Sequence, residues 1–188
     1  GASAVIAEGC ESGGHIGELT TMALVPQVID AVDLPVIAAG GIGDGRGMAA
    51  ALMLGAIGVQ MGTRFLTAYE CNVHPVYKQR VLKAKDIDTV ATGKRLGHPV
   101  RCLKTPFSRK LMMLEADSNV PVAELEAMGV PKVKTELSAS YVAHNMMQTF
   151  MSGQIAGMMH KEQSCADIIR EMMTETEEIL RGATKWVK

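Results

Sequence analysis

Two apolar stretches that end in glycine constrain the fold of this chain more than any other feature. They are VIAAGGI (residues 36–42) and VQMGT (residues 59–63), and each has the pattern of a buried, mainly apolar strand that ends in glycine. A segment with helical spacing lies between them, and a third apolar run precedes them at residues 2–7. This alternation predicts a parallel α/β sheet with right-handed crossovers.

The boundaries of the elements follow from caps and spacing. Leu24, Val28 and Val32 recur at helical spacing, and Asp44 is placed to cap a second helix that ends before Gly55. The other predicted elements are strands at 35–39 and 57–61, a basic helix at 75–85, short strands at 88–92 and 98–103, and a final helix after a capping box at Ser164. Residues 105–136 show no pattern that places an element.

Charge and composition narrow the function class. A net charge of -1 lacks the basic surface that non-specific nucleic-acid binding needs. No apolar run approaches the ~20 residues that cross a membrane, and residues 1–4 lack the basic region of a signal peptide. The four cysteines are widely spaced and form no metal-like cluster with histidine, which is typical of free thiols. We therefore expect a cytoplasmic protein without a nucleic-acid or membrane partner and without a metal site.

The glycine-bearing strand ends have the chemistry of a phosphate site. Only glycine lets the backbone approach a phosphate without interference from Cβ, and N–H groups at a strand-to-helix turn form an anion nest. Thr63 adds a hydroxyl donor. The alternative is that Gly40 and Gly41 only make a tight turn, and physics alone leaves both interpretations open. Neither stretch is a Walker A loop or a Gly-x-Gly-x-x-Gly fingerprint.

His15 is the best catalytic candidate. It follows Ser12-Gly13-Gly14 at the end of a predicted strand, where functional residues of parallel sheets collect. A histidine there can donate or remove a proton near neutral pH. The alternative is an ordinary loop histidine. The other four histidines lack this setting and are interpreted as surface or structural residues: His74, His98, His144 and His160.

Three ordered motifs resemble the nitronate monooxygenase superfamily. They are IAEGCESGGHIG (residues 6–17), PVIAAGGI (residues 35–42) and QMGTRF (residues 60–65). The superfamily comprises FMN-dependent βα-barrel enzymes and includes the flavin-dependent enoyl-acyl-carrier-protein reductases. Later segments are similar to this reductase branch in particular: DIDT (86–89), GHPVR (97–101) and SGQIAG (152–157). The resemblance covers nearly the whole chain.

The resemblance implies roles for individual residues. His15 would be the catalytic histidine, and residues 153–157 would close over the active site. The residues that would bind the cofactor, FMN, are Glu8, Gly13, Gly40, Gly41, Gln60, Met61, Gly62 and Thr63. Members that oxidise nitronates commonly have glutamine at the position of Glu8, which favours the reductase branch. NADH or NADPH would be the co-substrate.

The resemblance also implies a domain plan. The strands at 2–7, 35–39 and 57–61 correspond to strands six to eight of a TIM (βα)8 barrel, so we expect a C-terminal fragment that aggregates or binds FMN weakly when expressed alone. Residues 1–67 would be the C-terminal part of the FMN-binding barrel. Residues 68–145 would be a small α+β region on the substrate side, and residues 146–188 the active-site segment and C-terminal helix.

Three functions remain open from the sequence. The first is an FMN-dependent enoyl-acyl-carrier-protein reductase of fatty-acid synthesis, whose partner is an enoyl group on acyl carrier protein. The second is a nitronate monooxygenase, which oxidises alkyl nitronates with FMN and O₂. The third is an inactive module that binds a phosphate-bearing ligand. Homodimerisation is typical of the reductases, so we expect it of the intact enzyme.

Overall fold

A three-stranded parallel sheet forms one half of the fold. The structure is a computed structural model that describes residues 1–129 and 149–186. Its parallel strands are β1 (Val5–Glu8), β3 (Val36–Ala39) and β4 (Gly58–Gln60). They lie in the order β1-β3-β4, and Ala38 pairs with Ala7 on one side and with Val59 on the other. The predicted parallel α/β sheet is confirmed, and each strand is one or two residues shorter than expected.

Three helices accompany the parallel sheet and bury its aliphatic side chains. They are α1 (Thr21–Ala31), α2 (Gly45–Met53) and, near the end of the chain, a long helix at Cys165–Gly182. Val25, Ala38 and Ile168 are fully buried where these elements meet. The core is aliphatic, as the composition predicts.

The predicted caps are present at both ends of α2. The Asp44 side chain accepts hydrogen bonds from the N–H groups of Arg46 and Gly47, at 3.0 and 3.3 Å. Gly55 follows the helix with a φ of +100°, the left-handed conformation that favours glycine. At the long final helix, Ser164 Oγ accepts from Asp167 N at 3.0 Å, which confirms the predicted cap there.

An antiparallel sheet forms the other half of the fold. It consists of β2 (Gly14–His15), β5 (Thr89–Thr92) and β6 (Val100–Leu103), in the order β2-β6-β5. The two later strands confirm the predicted short strands. The pairing of β2 was not predicted, because two residues inside a glycine-rich loop carry no strand pattern of their own.

The helices of this half are α3 (Pro75–Leu82), α4 (Pro106–Ala116) and α5 (Val122–Met128), of which α4 packs against β5 and α5 packs against α4. The predicted basic helix is confirmed as α3, with Pro75 in its first turn. Helices α4 and α5 lie in the stretch that the sequence left unplaced, and the rest of that stretch, 130–136, lies outside the described residues. The final helix, Cys165–Gly182, is called α6 from here on.

The remaining sequence predictions concern the cysteines, membrane-spanning segments, domain boundaries and cellular location. All four cysteines are free, as expected. In the part of the chain that the structure describes, no helix has both the length and the apolarity needed to cross a bilayer. The domain boundaries at residues 67 and 145 stay predictions, as does the cytoplasmic location.

Candidate FMN site

The carboxyl ends of the three parallel strands open into a cavity of about 310 Å³. Such strand ends are where open α/β sheets place their ligands. All eight residues predicted to bind the cofactor line this cavity: Glu8, Gly13, Gly40, Gly41, Gln60, Met61, Gly62 and Thr63. The structure therefore brings together residues from three separate sequence motifs.

The Gly40-Gly41 turn is possible only without side chains. Both residues have positive φ angles, +89° and +69°. A Cβ atom on Gly40 would lie 2.7 Å from the carbonyl oxygen of Gly9, closer than carbon and oxygen atoms approach without displacement. The N–H of Gly9 also donates to the carbonyl of Ala39 at 2.9 Å. The turn after β3 is thus packed directly against the backbone that follows β1.

Glu11 organises the glycine loop, and sequence reasoning missed it. Both of its carboxylate oxygens lie 3.0 Å from the N–H of Thr21, the first residue of α1. The Thr21 hydroxyl lies 3.0 Å from Glu11 Oε2 and 3.0 Å from the carbonyl oxygen of Gly40, so its proton can serve either acceptor. A carboxylate at a helix N-terminus is favourable for both hydrogen bonding and the helix dipole. An acidic residue ten positions before a helix start gave no local signal of this contact.

Residues 153–157 begin at the cavity wall. The N–H of Gly153 donates to Thr63 Oγ1 at 2.8 Å, and the N–H of Gln154 donates to the carbonyl of Glu11 at 2.8 Å. A Cβ atom on Gly13 would lie 2.5 Å from the nitrogen of Gly153, so the two chains touch through bare backbone. Gly153 and Ile155 line the cavity. This segment therefore joins the glycine loop to the end of β4.

Tyr77 adds a wall from α3 that the sequence gave no reason to include. It lines the cavity, donates a hydrogen bond to the carbonyl of Met151, and packs edge-on against Phe150 with ring centroids 5.2 Å apart. Burial raises the pKa of the Tyr77 phenol well above its usual range. The phenol is therefore protonated at neutral pH and acts as a donor.

His15 lies beside the cavity, on the antiparallel sheet, and does not belong to its lining. It is exposed, it pairs with Val100 across β2 and β6, and its ring lies 6.5 Å from that of His98. Two residues earlier, Gly13 lines the cavity, and Gly14 turns the chain with a φ of +86°. The catalytic role of His15 stays a prediction.

The other histidines differ in setting. His74 Nδ1 accepts from Val76 N at 3.1 Å and caps α3, which is a structural role, as predicted. His98 faces His15, and His160 is exposed at the surface. His144 lies outside the described residues.

The cavity residues fit a phosphate group. Ser12 lines the cavity, and its Oγ is buried without a hydrogen-bond partner among the described residues. In that part of the chain, the N–H groups of Gly40, Gly41 and Gly62 have no backbone acceptor either. A Cβ atom on Gly62 would meet nothing within 4 Å, so the space beside this backbone is open. Unused donors around bare backbone are what an anion requires.

Thr63 completes the set of donors. Its Oγ1 accepts the Gly153 N–H, which leaves the hydroxyl proton available for an acceptor in the cavity. Since the donors come from two adjacent strand ends, they can converge on one group. These residues are therefore suited to hold the phosphate of a cofactor such as FMN.

Comparison with known protein families shows to which family this chain belongs. The sequence model of the family described as nitronate monooxygenase matches residues 1–175. The chain belongs to the nitronate monooxygenase family. A Staphylococcus saprophyticus protein named "Probable nitronate monooxygenase" is 46% identical over 132 residues, which are 64% of this chain and 37% of that protein.

Two solved structures share the fold of this chain. FabK from Thermotoga maritima is 45% identical, with a TM-score of 0.86 over 100% of this chain and 58% of its own. A nitroalkane oxidase from Streptomyces ansochromogenes is 28% identical, with a TM-score of 0.75 over 96% of this chain and 53% of its own. The α/β fold is thus that of these TIM-barrel enzymes, and the chain spans less than two-thirds of the length of each of these relatives.

Proposed function

We propose that this chain forms the phosphate-binding side of the FMN site in an enoyl-acyl-carrier-protein reductase. The observation that supports this most is the likeness to FabK, an enoyl-acyl-carrier-protein reductase of type II, which extends over 100% of the chain with 45% identity. The likeness includes the antiparallel sheet as well as the parallel one. Glu8, where nitronate-oxidising relatives commonly have glutamine, favours the same branch.

The phosphate of FMN would be held by backbone N–H groups. Gly40 and Gly41 would donate from the turn after β3, and Gly62 from the turn after β4. The Thr63 hydroxyl would donate a further hydrogen bond while it continues to accept from Gly153. Charge-assisted hydrogen bonds of this kind contribute about 1.5–3 kcal/mol each.

Other side chains would orient the ring system and the substrate. Glu8 and Gln60 stand at the ends of β1 and β4, with exposed polar groups beside the cavity. Tyr77 keeps its proton and holds the Met151 backbone in place on the opposite wall. FMN, when bound, would supply the hydride chemistry for reduction of a trans-2-enoyl thioester at its β-carbon, with NADH or NADPH as the co-substrate.

His15 would supply the proton that the reduction needs. Reduction of the enoyl group needs a proton at the α-carbon, and an imidazole can donate one near neutral pH. His15 is exposed two residues beyond Gly13, so its ring is accessible to a substrate that enters from solvent. We propose that it protonates the α-carbon or polarises the thioester carbonyl, and that the intact enzyme is a homodimer.

A steady-state assay tests the reductase proposal. The FMN-loaded protein should oxidise NADH or NADPH only when a crotonyl thioester is present, and butyryl thioester should accumulate in equal amount. Nicotinamide oxidation that does not depend on the thioester would contradict the proposal, because it would show only the reactivity of the flavin with O₂.

Nitronate monooxygenase is the second candidate. It is favoured by the family model and by the 46% identical staphylococcal relative, which bears that name. In this reaction His15 would act as a base or orient the anionic nitronate. O₂ uptake with an alkyl nitronate in the absence of NADH, without turnover of the crotonyl thioester, would establish this activity instead.

A further inference from the structure

A second surface cavity, on the far side of α3, carries the strongest unassigned charge feature of the described chain. It measures about 590 Å³ and lies between α3, β6 and the start of α4. Four basic side chains line it, Arg80, Lys83, Lys104 and Arg109, and we call it the basic groove. Its one acidic lining residue is Asp88.

The four cations of the basic groove form no ion pair with any residue that the structure describes. Arg80 instead lies over the face of the Phe150 ring, with the guanidinium carbon 4.7 Å from the ring centroid. The carboxylate of Asp88 accepts the N–H of Lys85 at 2.9 Å, so it is already engaged locally. A chain with a net charge of -1 thus concentrates unpaired positive charge in one place.

The groove is connected to the candidate FMN site through one aromatic layer. Phe150 packs against Tyr77, which lines the candidate FMN site, and against Arg80, which lines the groove. Both contacts involve side chains of the same helix, α3. A partner seated on the groove would therefore lie one layer of side chains away from the reaction site.

The basic groove lacks the features of a site for a single phosphate. The first residue of α3, Pro75, has no N–H, and the N–H of Val76 already donates to His74. At the start of α4, the Thr105 and Ser108 side chains satisfy each other's backbone N–H groups. Positive charge comes only from long, flexible side chains spread around the groove. That arrangement is complementary to a row of carboxylates on a protein surface.

We propose that the basic groove is the docking surface for the acidic carrier protein that presents the enoyl thioester. This inference rests on the proposed reductase function. Carboxylates on a helix of the carrier would pair with Lys83, Lys104 and Arg109 at the rim. The acyl arm would then reach the candidate FMN site past α3. Charges at such a rim mainly steer association, so the interaction weakens as ionic strength rises.

Two readouts test the docking surface on the FMN-loaded protein. The first is the KM for a crotonyl group on acyl carrier protein, compared with the KM for crotonyl-N-acetylcysteamine, a neutral thioester without a carrier. The second is direct binding of the carrier protein, followed by fluorescence anisotropy at low and high ionic strength. The variants are Lys83→Glu and the double variant Lys83→Glu/Arg109→Glu. The matched control is Lys94→Glu, which changes an exposed lysine outside the groove.

The double variant should raise the KM for the carrier-linked substrate on the order of tenfold, with the KM for the neutral thioester and kcat unchanged. Its residual carrier binding should lose most of its salt dependence, while Lys94→Glu behaves as the wild type. Equal carrier affinity in the wild type and the double variant would overturn the inference while leaving the reductase function intact. Lost affinity for NADPH in place of lost carrier affinity would overturn it too, and would assign the groove to a nucleotide phosphate.

The docking surface can also be tested if the proposed reductase function proves wrong. If no thioester is turned over, the anisotropy measurement still decides whether the carrier binds the groove. Binding that the double variant abolishes and the control retains supports the docking surface in that case, and absence of binding by the wild type overturns it.

Discussion

Replacing Gly40 by alanine tests the close packing on which the candidate site depends. Gly40 has a φ of +89°, and placing an alanine in this left-handed region costs about 1–2 kcal/mol. The new Cβ would also lie 2.7 Å from the Gly9 carbonyl oxygen, against an ordinary C···O contact of about 3.3 Å or more. The backbone of Gly9 would have to shift, and it carries the 2.9 Å hydrogen bond to Ala39. Weakening that bond adds about 0.5–1.5 kcal/mol.

The free energy of unfolding should therefore fall by about 1.5–3.5 kcal/mol in Gly40→Ala. Urea titration monitored by circular dichroism, with flavin absent, measures this difference. Gly58→Ala is the control, because Gly58 lies in β4 outside the left-handed region and its Cβ would meet nothing within 4 Å. That variant should stay within about 0.5 kcal/mol of the wild type. Equal stability of the two variants would refute the packing argument.

Three further predictions concern single side chains. Thr63→Val leaves the buried Gly153 N–H without its acceptor, so the free energy of unfolding should fall by about 1–3 kcal/mol and FMN should bind more weakly. Thr63→Ser should retain the wild-type stability and FMN affinity. Urea titrations measure the stability, and flavin titrations measure the affinity. Burial raises the pKa of the Cys102 thiol from 9.0 to about 11, despite an opposing hydrogen bond with Ser108. Between these two pH values the unfolded chain binds fewer protons than the folded one, so the free energy of unfolding should fall as pH rises through this window. In urea titrations, Cys102→Ala should make this dependence of stability on pH less steep. An unchanged dependence would count against the raised pKa. His15→Ala should lower turnover by about 10²–10⁴-fold with unchanged flavin content, while His98→Ala should have a much smaller effect; an empty flavin site with normal activity per bound flavin would contradict the catalytic role.

The parallel sheet could be predicted from the sequence because its signals are local. Unbroken aliphatic runs identify buried strands, and residues such as Asp44 and Gly55 fix the helix between them through contacts within a few positions. Gly40, Gly41 and Gly62 were singled out for the same reason, since each lies in the turn that follows a strand, whereas the place of Gly13 was implied only by the family resemblance.

The missed features depend on contacts between distant parts of the chain. Glu11 reaches a helix start ten residues away, and Tyr77 reaches the cavity from a helix that belongs to the other half of the fold. The pairing of β2 with β6 joins His15 to Val100, and neither residue carries a signal of the other. Helix α4 does have a local signal, because Thr105 and Ser108 form a capping box with serine in place of the usual acidic or amide residue.

The central claim is that the Gly40-Gly41 and Gly62-Thr63 turns hold the phosphate of FMN. Its most direct test is a fluorescence titration of the protein with FMN and with riboflavin, which lacks the phosphate. FMN should bind at least about tenfold more tightly than riboflavin, since one charge-assisted hydrogen bond is worth about 1.5–3 kcal/mol. Gly62→Ala, whose Cβ would project into the open space at the cavity, should remove most of that difference, and Gly58→Ala should retain it. Equal affinities of the wild type for FMN and riboflavin would contradict the claim.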